Sequence, residues 1–295
     1  MPYFVHRLDP VMLDLFGVLQ IRWYGMAYLL AFLAAGLLLA VLSRRDICVL
    51  AVGEVYNFIV FVAVFGVLIG ARVGYILFYI PDEFIRDPLV LLRVWEGGMS
   101  SHGGMLGVLL VIIIYARKNG YPFWNLMDNM ATVVPLGIGF GRVANFINGE
   151  LWGRITSVPW AVIFPGEAGL PPQQADELSV YAAWQAGLLY PRHPSQLYEA
   201  MGEGFVLFAV LWLIRKTAWS KVDGRMSAMF LLLYGIFRIE VEFFREPDRP
   251  EWIYLGWMTR GQIYSVFMVI GGLGLLWWPL LSRNRGSNRT ISGKC

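Results

Sequence analysis

Four side chains in one stretch of the sequence have the types and spacing to hold an anion. Tyr234, Arg238, Glu242 and Arg245 fall at i, i+4, i+8 and i+11, so a helix turns them to one face. Arg142 is followed at i+3 by Asn145 on a shared face, and then by Asn148. A guanidinium is a planar fork that donates two parallel hydrogen bonds, and a phosphate has two oxygens to receive them. Two or three such arginines, with Arg72 as the third, set beside amide donors describe a site for a phosphate head group. His102, in EGGMSSHGG at 96–104, adds an imidazole able to exchange a proton near neutral pH. Ser100 and Ser101 precede it, but GxSxG is missing and no Asp is placed to orient the ring, which disfavours a serine hydrolase. The phosphate-loop patterns GxGxxG and GxxxxGK[ST] are also absent. Cys48 and Cys295 are far apart and belong to no His/Cys cluster, so neither a disulfide framework nor a zinc site is expected. No acidic cluster has metal-ligand spacing, and the expectation is a site with no metal and no cofactor.

These residues must be positioned inside a membrane. Of 295 residues, 57% are apolar and 15% are Asp, Glu, Lys or Arg, where a soluble domain carries about 25% charged residues. The net charge of +3 is too mild to suggest a nucleic-acid partner. The composition predicts an all-α polytopic membrane protein, one integral-membrane domain over 1–295. Seven apolar stretches, near 23–43, 55–80, 98–116, 124–147, 196–214, 226–245 and 262–281, approach the roughly 20 residues a crossing requires. Half of the 24 basic residues lie after spans one, three and five and in the tail. By the basic-loop rule those segments face the cytoplasm. The N-terminus is then outside and the C-terminus cytoplasmic. Residues 1–22 form an outer arm, 148–195 a small extracytoplasmic cap, and 282–295 a cytoplasmic tail.

With that topology the unusual polar residues share the outer half, apart from Glu54, Asn57 and Asp128 near the cytoplasmic ends. Those of the outer half are Tyr24, Arg72, Tyr75, His102, Arg142, Asn145, Asn148, His193, Gln196, Tyr198, Glu199, the stripe of span six, and Gln262. An arginine as deep as Arg238 costs at least about 2.5–3.5 kcal/mol against lipid, so it must face protein or water. One account is an Arg238–Glu242 salt bridge that only joins helices. The favoured account is a cavity open to the outer leaflet, in which Arg142 and Arg72 add unpaired positive charge. The glycines of GIGFGRVANFINGELWG at 137–153 either pack helices closely or open the backbone for a head group to reach Arg142. Gly66, Gly70 and Gly74 in span two have the spacing of close helix packing. A phospholipid or small-anion transporter is the alternative function, but its landmarks would line both halves of the membrane, and no internal repeat is found.

GRVANFINGELWG at 141–153 resembles the signature of bacterial phosphatidylglycerol–prolipoprotein diacylglyceryl transferases. So do EGGMSSHGG at 96–104, HPSQLYE at 193–199, YGIFRIEVEFFREPD at 234–248 and RWYG at 22–25. The motifs fall in the family's order and cover roughly residues 20–280. The resemblance implies seven spans and a transfer in the bacterial cytoplasmic (inner) membrane, with the active site facing the outer leaflet. The diacylglyceryl group of phosphatidylglycerol would pass to the lipobox cysteine thiol of a preprolipoprotein, and glycerol phosphate would leave. The implied partners are phosphatidylglycerol, lipobox peptides and the bilayer. The family's important residues map onto Tyr24, His102, Arg142, Asn145, Glu150, Gly153, Tyr234 and Arg238, with Glu242 and Arg245 in the same motif. His102, Arg142 and Arg238 would be catalytic, and the others, with Asn148, would bind substrate. The arginines would stabilise charge on the departing phosphate, and His102 would take the thiol proton. Glu96 where Asp is usual, Ala144 where Gly is usual, and the extra acid Glu240 depart from the family pattern.

Overall fold

A computed structural model describes residues 3–17, 19–171, 175–247, 253–254 and 258–287. Of the tail expected at 282–295, residues 288–295 lie outside them. A helix runs through each of the seven expected stretches. Among the described residues five helices are long and apolar enough to cross a membrane: Trp23–Ser43, Val52–Tyr79, Ser101–Asn119, Phe123–Ile147 and Ser195–Arg215. The sixth stretch is the helix Arg225–Glu242, which carries Arg225, Arg238, Glu240 and Glu242 and so is less apolar than those five. The seventh lies within Arg260–Ser287. In chain order these helices, with Pro81–Arg86 and Glu177–Gln185, are α1 (Trp23–Ser43), α2 (Val52–Tyr79), α3 (Pro81–Arg86), α4 (Ser101–Asn119), α5 (Phe123–Ile147), α6 (Glu177–Gln185), α7 (Ser195–Arg215), α8 (Arg225–Glu242) and α9 (Arg260–Ser287). The chain divides into two units, 35–130 and 1–34 with 131–295.

In the unit 35–130, α2 and α4 meet along their glycines. A Cβ on Gly66 would lie 2.9 Å from the Cα of Val108, and one on Gly70 would lie 2.8 Å from the Gly103 carbonyl oxygen. No side chain fits there, so the small-residue spacing of span two packs helices, as expected. Ser100 caps α4 by accepting a hydrogen bond from the Gly103 amide at 3.2 Å, and Gly120 ends it in the left-handed conformation at φ 68°. These two residues delimit the helix that carries His102.

Arg72 overturns an expectation. Its side chain does not add free positive charge: the residue is 3% exposed and donates to five backbone carbonyls. They belong to Val90, Leu91 at 3.3 Å, Arg93 at 2.9 Å, Gly97 and Gly98 at 3.1 Å. The segment 88–98 is mostly short 3₁₀ turns, which leave carbonyls without helical partners. A guanidinium, donor only, satisfies them.

In the other unit, β1 (Phe4–Val5) pairs parallel with β4 (Val162–Ile163), which pairs antiparallel with β5 (Pro191–Arg192). Between β1 and α1, β2 (Val11–Leu15) and β3 (Leu19–Arg22) form a hairpin. Residues 148–195 are not a bare loop. Ile163, Ala175, Val180 and Leu189 form a buried cluster joined by Tyr3, Val5 and Trp184. His6 is fully buried between the rings of Phe146 and Phe164, each centroid 5.3 Å away. Burial holds its imidazole below the ordinary range. Helices α8 and α9 pack where a Cβ on Gly235 would meet the Ser265 carbonyl at 2.9 Å and one on Gly272 the Ala228 carbonyl at 2.8 Å.

Candidate active site

Glycine again decides which faces meet. A Cβ on Gly204 of α7 would lie 2.8 Å from the Gly139 amide nitrogen of α5, and one on Gly139 would lie 3.0 Å from the Phe205 ring. Gly139 is one turn before Arg142, and Gly204 follows Glu203. The same close approach therefore brings Arg142 of α5 against Glu199 and Glu203 of α7. The two carboxylates are at i, i+4, and α7 is π-helical over Ala200–Val206, a widened turn that recurs at functional sites. For Gly139 the packing account of the 137–153 glycines is the correct one, while a Cβ on Gly141 would meet open space.

Three arginines and three glutamates interlock there. Arg142 Nη1 lies 3.3 Å from Glu199 Oε2, and its Nη2 3.7 Å from Glu203 Oε2. Arg238, from α8, pairs with Glu199, with Glu203 at 3.5 Å and with Glu242 at 2.7 Å. Arg245 Nη1 donates to Glu199 Oε1 at 3.0 Å. Glu242 also accepts from the Thr259 hydroxyl at 2.8 Å. Thr259 and Gln262 cap α9 reciprocally, Thr259 N to Gln262 Oε1 at 3.0 Å and Gln262 N to Thr259 Oγ1 at 3.2 Å. Gln262 is thus a cap rather than a cavity donor.

The side chains of Glu199 and Glu203 are 0% exposed, while those of Arg142 and Arg238 are 20% and 14% exposed. Burying a carboxylate that deeply is tolerable only because cations meet it. Two expectations therefore change. The Arg238–Glu242 bridge exists, and Arg142 does not add unpaired positive charge: the three arginines and three glutamates are formally neutral together. Glu199 was foreseen only as one outer polar residue, and Glu203 was not foreseen. The signal for both was two acids four apart in an otherwise apolar span, which must be paired to lie there.

A second group of predicted residues adjoins the end of α5. Buried Asn145 donates its amide to Glu150 Oε1 at 2.8 Å, and Asn148 donates to the same oxygen at 3.3 Å. Glu150 has an exposed surface, and its backbone carbonyl accepts from Gln196 at 2.6 Å. Gly153 is held by backbone. Its amide donates to the His193 carbonyl at 2.9 Å, its carbonyl accepts from Arg192 at 3.0 Å, and it bridges Arg245. A Cβ there would lie 2.5 Å from the carbonyl oxygens of both His193 and Phe244. Gly153 acts by its lack of a side chain, setting the path of the chain that carries Arg245.

Tyr234 stacks on Phe230 at 5.6 Å one turn before Arg238. Tyr24, half-buried, lies against the Tyr28 ring at 5.5 Å. His193 has the Tyr198 hydroxyl 3.2 Å from its Nδ1, and burial holds its imidazole below the ordinary range. His102 belongs to the other unit, where it is exposed in the first turn of α4. Among the described residues no group of three or more His, Cys, Asp or Glu is arranged to hold a metal ion.

Comparison with known proteins names the scaffold. Residues 10–278 match the family model described as prolipoprotein diacylglyceryl transferase. The phosphatidylglycerol–prolipoprotein diacylglyceryl transferase of Stenotrophomonas maltophilia (strain R551-3) is 44% identical over 282 residues, 94% of this chain and 93% of its own length. Those of Xylella fastidiosa (strain 9a5c) and Xanthomonas axonopodis pv. citri (strain 306) are 43% and 44% identical, covering 93% and 92% of each chain respectively. By that match over most of its length and by relatives 43–44% identical over more than nine-tenths of each chain, the chain belongs to the prolipoprotein diacylglyceryl transferase family.

Proposed function

We propose that this membrane transferase moves the diacylglyceryl group of phosphatidylglycerol to the lipobox cysteine thiol of a preprolipoprotein, with Arg142 and Arg238 holding the phosphate. The observation that carries the reading is the pair of arginines from α5 and α8 converging on Glu199 and Glu203 with their own side chains partly open. An anion approaching from the open side meets two forks already aimed into one space. As the glyceryl C–O bond breaks, charge grows on the departing phosphate, and fixed cations in a low-dielectric site stabilise it without reorganisation. The thiolate sulfur takes the carbon, the phosphate takes the bonding electron pair, and glycerol phosphate leaves. Asn145, Asn148 and Glu150 offer donors and an acceptor to the glycerol hydroxyls. Tyr24, Tyr234, Glu242, Arg245 and Gly153 complete the substrate site, directly or by holding its arginines. His102 is the candidate acceptor of the thiol proton.

The bilayer placement belongs to the same proposal. Seven helices span the bacterial inner membrane, with the N-terminus and residues 148–195 outside, the C-terminus in the cytoplasm, and the site facing the outer leaflet. The basic residues after spans one, three and five support that orientation. The test is incubation of the purified protein with labelled phosphatidylglycerol and a lipobox peptide. Glycerol phosphate release that requires the peptide is expected. Release at the same rate without peptide, or none with it, contradicts the proposal.

A further inference from the structure

The neutral charge count of the buried cluster creates a problem for any anion that enters it. Arg142, Arg238 and Arg245 are already matched by Glu199, Glu203 and Glu242. A phosphodiester seated on Arg142 and Arg238 leaves one uncompensated negative charge in a site of low dielectric, which is costly. One carboxylate must release its hold on the arginines.

The three glutamates are not held alike. Glu199 contacts all three arginines, at 3.3 Å to Arg142 and 3.0 Å to Arg245, with the closest contact to Arg238. Glu242 has Arg238 at 2.7 Å and the Thr259 hydroxyl at 2.8 Å. Glu203 has only the longer contacts, 3.5 Å to Arg238 and 3.7 Å to Arg142. The buried Oε2 of each of the three glutamates lacks a hydrogen-bond partner among the described residues, so it is the length of its ion-pair contacts that sets Glu203 apart. Its two cations are the two assigned to the phosphate. The charged and titratable groups around Glu203 are Arg142 on α5, Arg238 and Tyr234 on α8, and Glu199 on its own helix.

We propose that Glu203 is the carboxylate that yields Arg142 and Arg238 to the head group, taking up one proton as the anionic lipid binds. One negative charge and one solvent proton enter together, so the cluster stays neutral, and the only bond formed is the O–H of the carboxylic acid. The proposal rests on the phosphate assignment made above, and the experiment separates the two.

Dihexanoyl-phosphatidylglycerol is titrated by calorimetry into the purified protein in a non-ionic detergent, in Hepes and in Tris. The difference in buffer ionisation enthalpy gives the number of protons taken up per lipid bound. The expected number rises toward one as pH rises through the titration of the free site, and affinity then falls toward about tenfold per pH unit. Glu203→Gln is expected to bind with no proton uptake and little pH dependence. On the wild-type protein, a new carboxylic-acid carbonyl band in the infrared difference spectrum on lipid binding gives a second readout that needs no variant to fold. Absence of both uptake and band in the wild type, or undiminished uptake by Glu203→Gln, overturns the proposal. Should Arg142→Lys and Arg238→Lys bind the lipid as wild type does, the phosphate assignment falls. If those variants lose binding but the wild type takes up no proton, only the role of Glu203 falls.

Discussion

Glu199→Gln is the substitution that tests the cluster most directly. The amide keeps the volume of the side chain and removes its charge. Glu199 holds Arg142 at 3.3 Å and Arg245 at 3.0 Å, and pairs with Arg238. The variant leaves three buried or half-buried arginines facing two glutamates. Removing one partner of a buried ion pair costs about 3–5 kcal/mol, because the charge left behind is uncompensated. The amide oxygen still accepts one hydrogen bond, which places the expectation near about 3 kcal/mol. Thermal unfolding in detergent, compared with wild type at one lipid and detergent concentration, measures it. The excess positive charge also predicts the remedy. Short-chain phosphatidylglycerol supplies the missing anion and should raise the melting temperature of Glu199→Gln by more than it raises that of the wild type. A variant that melts with the wild type and responds equally to the lipid would refute the reasoning, since the arginines would then not depend on Glu199.

Arg142→Lys and Arg238→Lys should each insert normally and lose most transferase activity, because lysine keeps the charge but not the planar fork; near-wild-type transfer by both would leave only a general positive field. Gly153→Ala should destabilise the fold by at least about 1–3 kcal/mol, since its Cβ would lie 2.5 Å from two carbonyl oxygens; unchanged unfolding with normal activity contradicts that packing role. His102→Gln should retain lipid binding and lose transfer, with part of the loss recovered as pH rises toward the thiol's own pKa of about 8.5; loss of binding with no recovery would make His102 structural. For His6 the buried imidazole titrates below its unfolded value, so the unfolded chain binds more protons and stability rises with pH. The contribution of His6 is complete above about pH 6.5 and fades as pH falls below it. Melting temperature against pH for wild type and His6→Phe checks this, and equal acid sensitivity in both counts against it.

What could be read from the sequence divides along physical lines. The helical stretches are legible because membrane solvation demands long apolar runs, and a helix runs through each of the seven stretches. The arginines of spans four and six are legible because an ionised group in an apolar run is expensive and helix periodicity places it on a face. The strands β1 and β4 are not legible, since two-residue strands whose paired residues lie 158 positions apart carry no period. Arg72 misled because its partners are backbone carbonyls, which leave no signature in a sequence, so a guanidinium tied to a loop looks the same as one awaiting a ligand. Glu203 was missed for a related reason. Its meaning depends on α5 and α7 touching, which Gly139 and Gly204 permit but do not announce. That contact changes the chemistry attributed to the site. A bare pair of arginines would attract any anion, including free phosphate from solution. A pair already neutralised by buried carboxylates favours only an anion whose remaining contacts outweigh the displaced ion pairs. In the proposed binding mode a lipid head group tethered to two acyl chains would have such contacts, its glycerol hydroxyls meeting Asn145, Asn148 and Glu150, and inorganic phosphate would not. Under that proposal, discrimination between them would arise from the competition that Glu199 and Glu203 impose on Arg142 and Arg238.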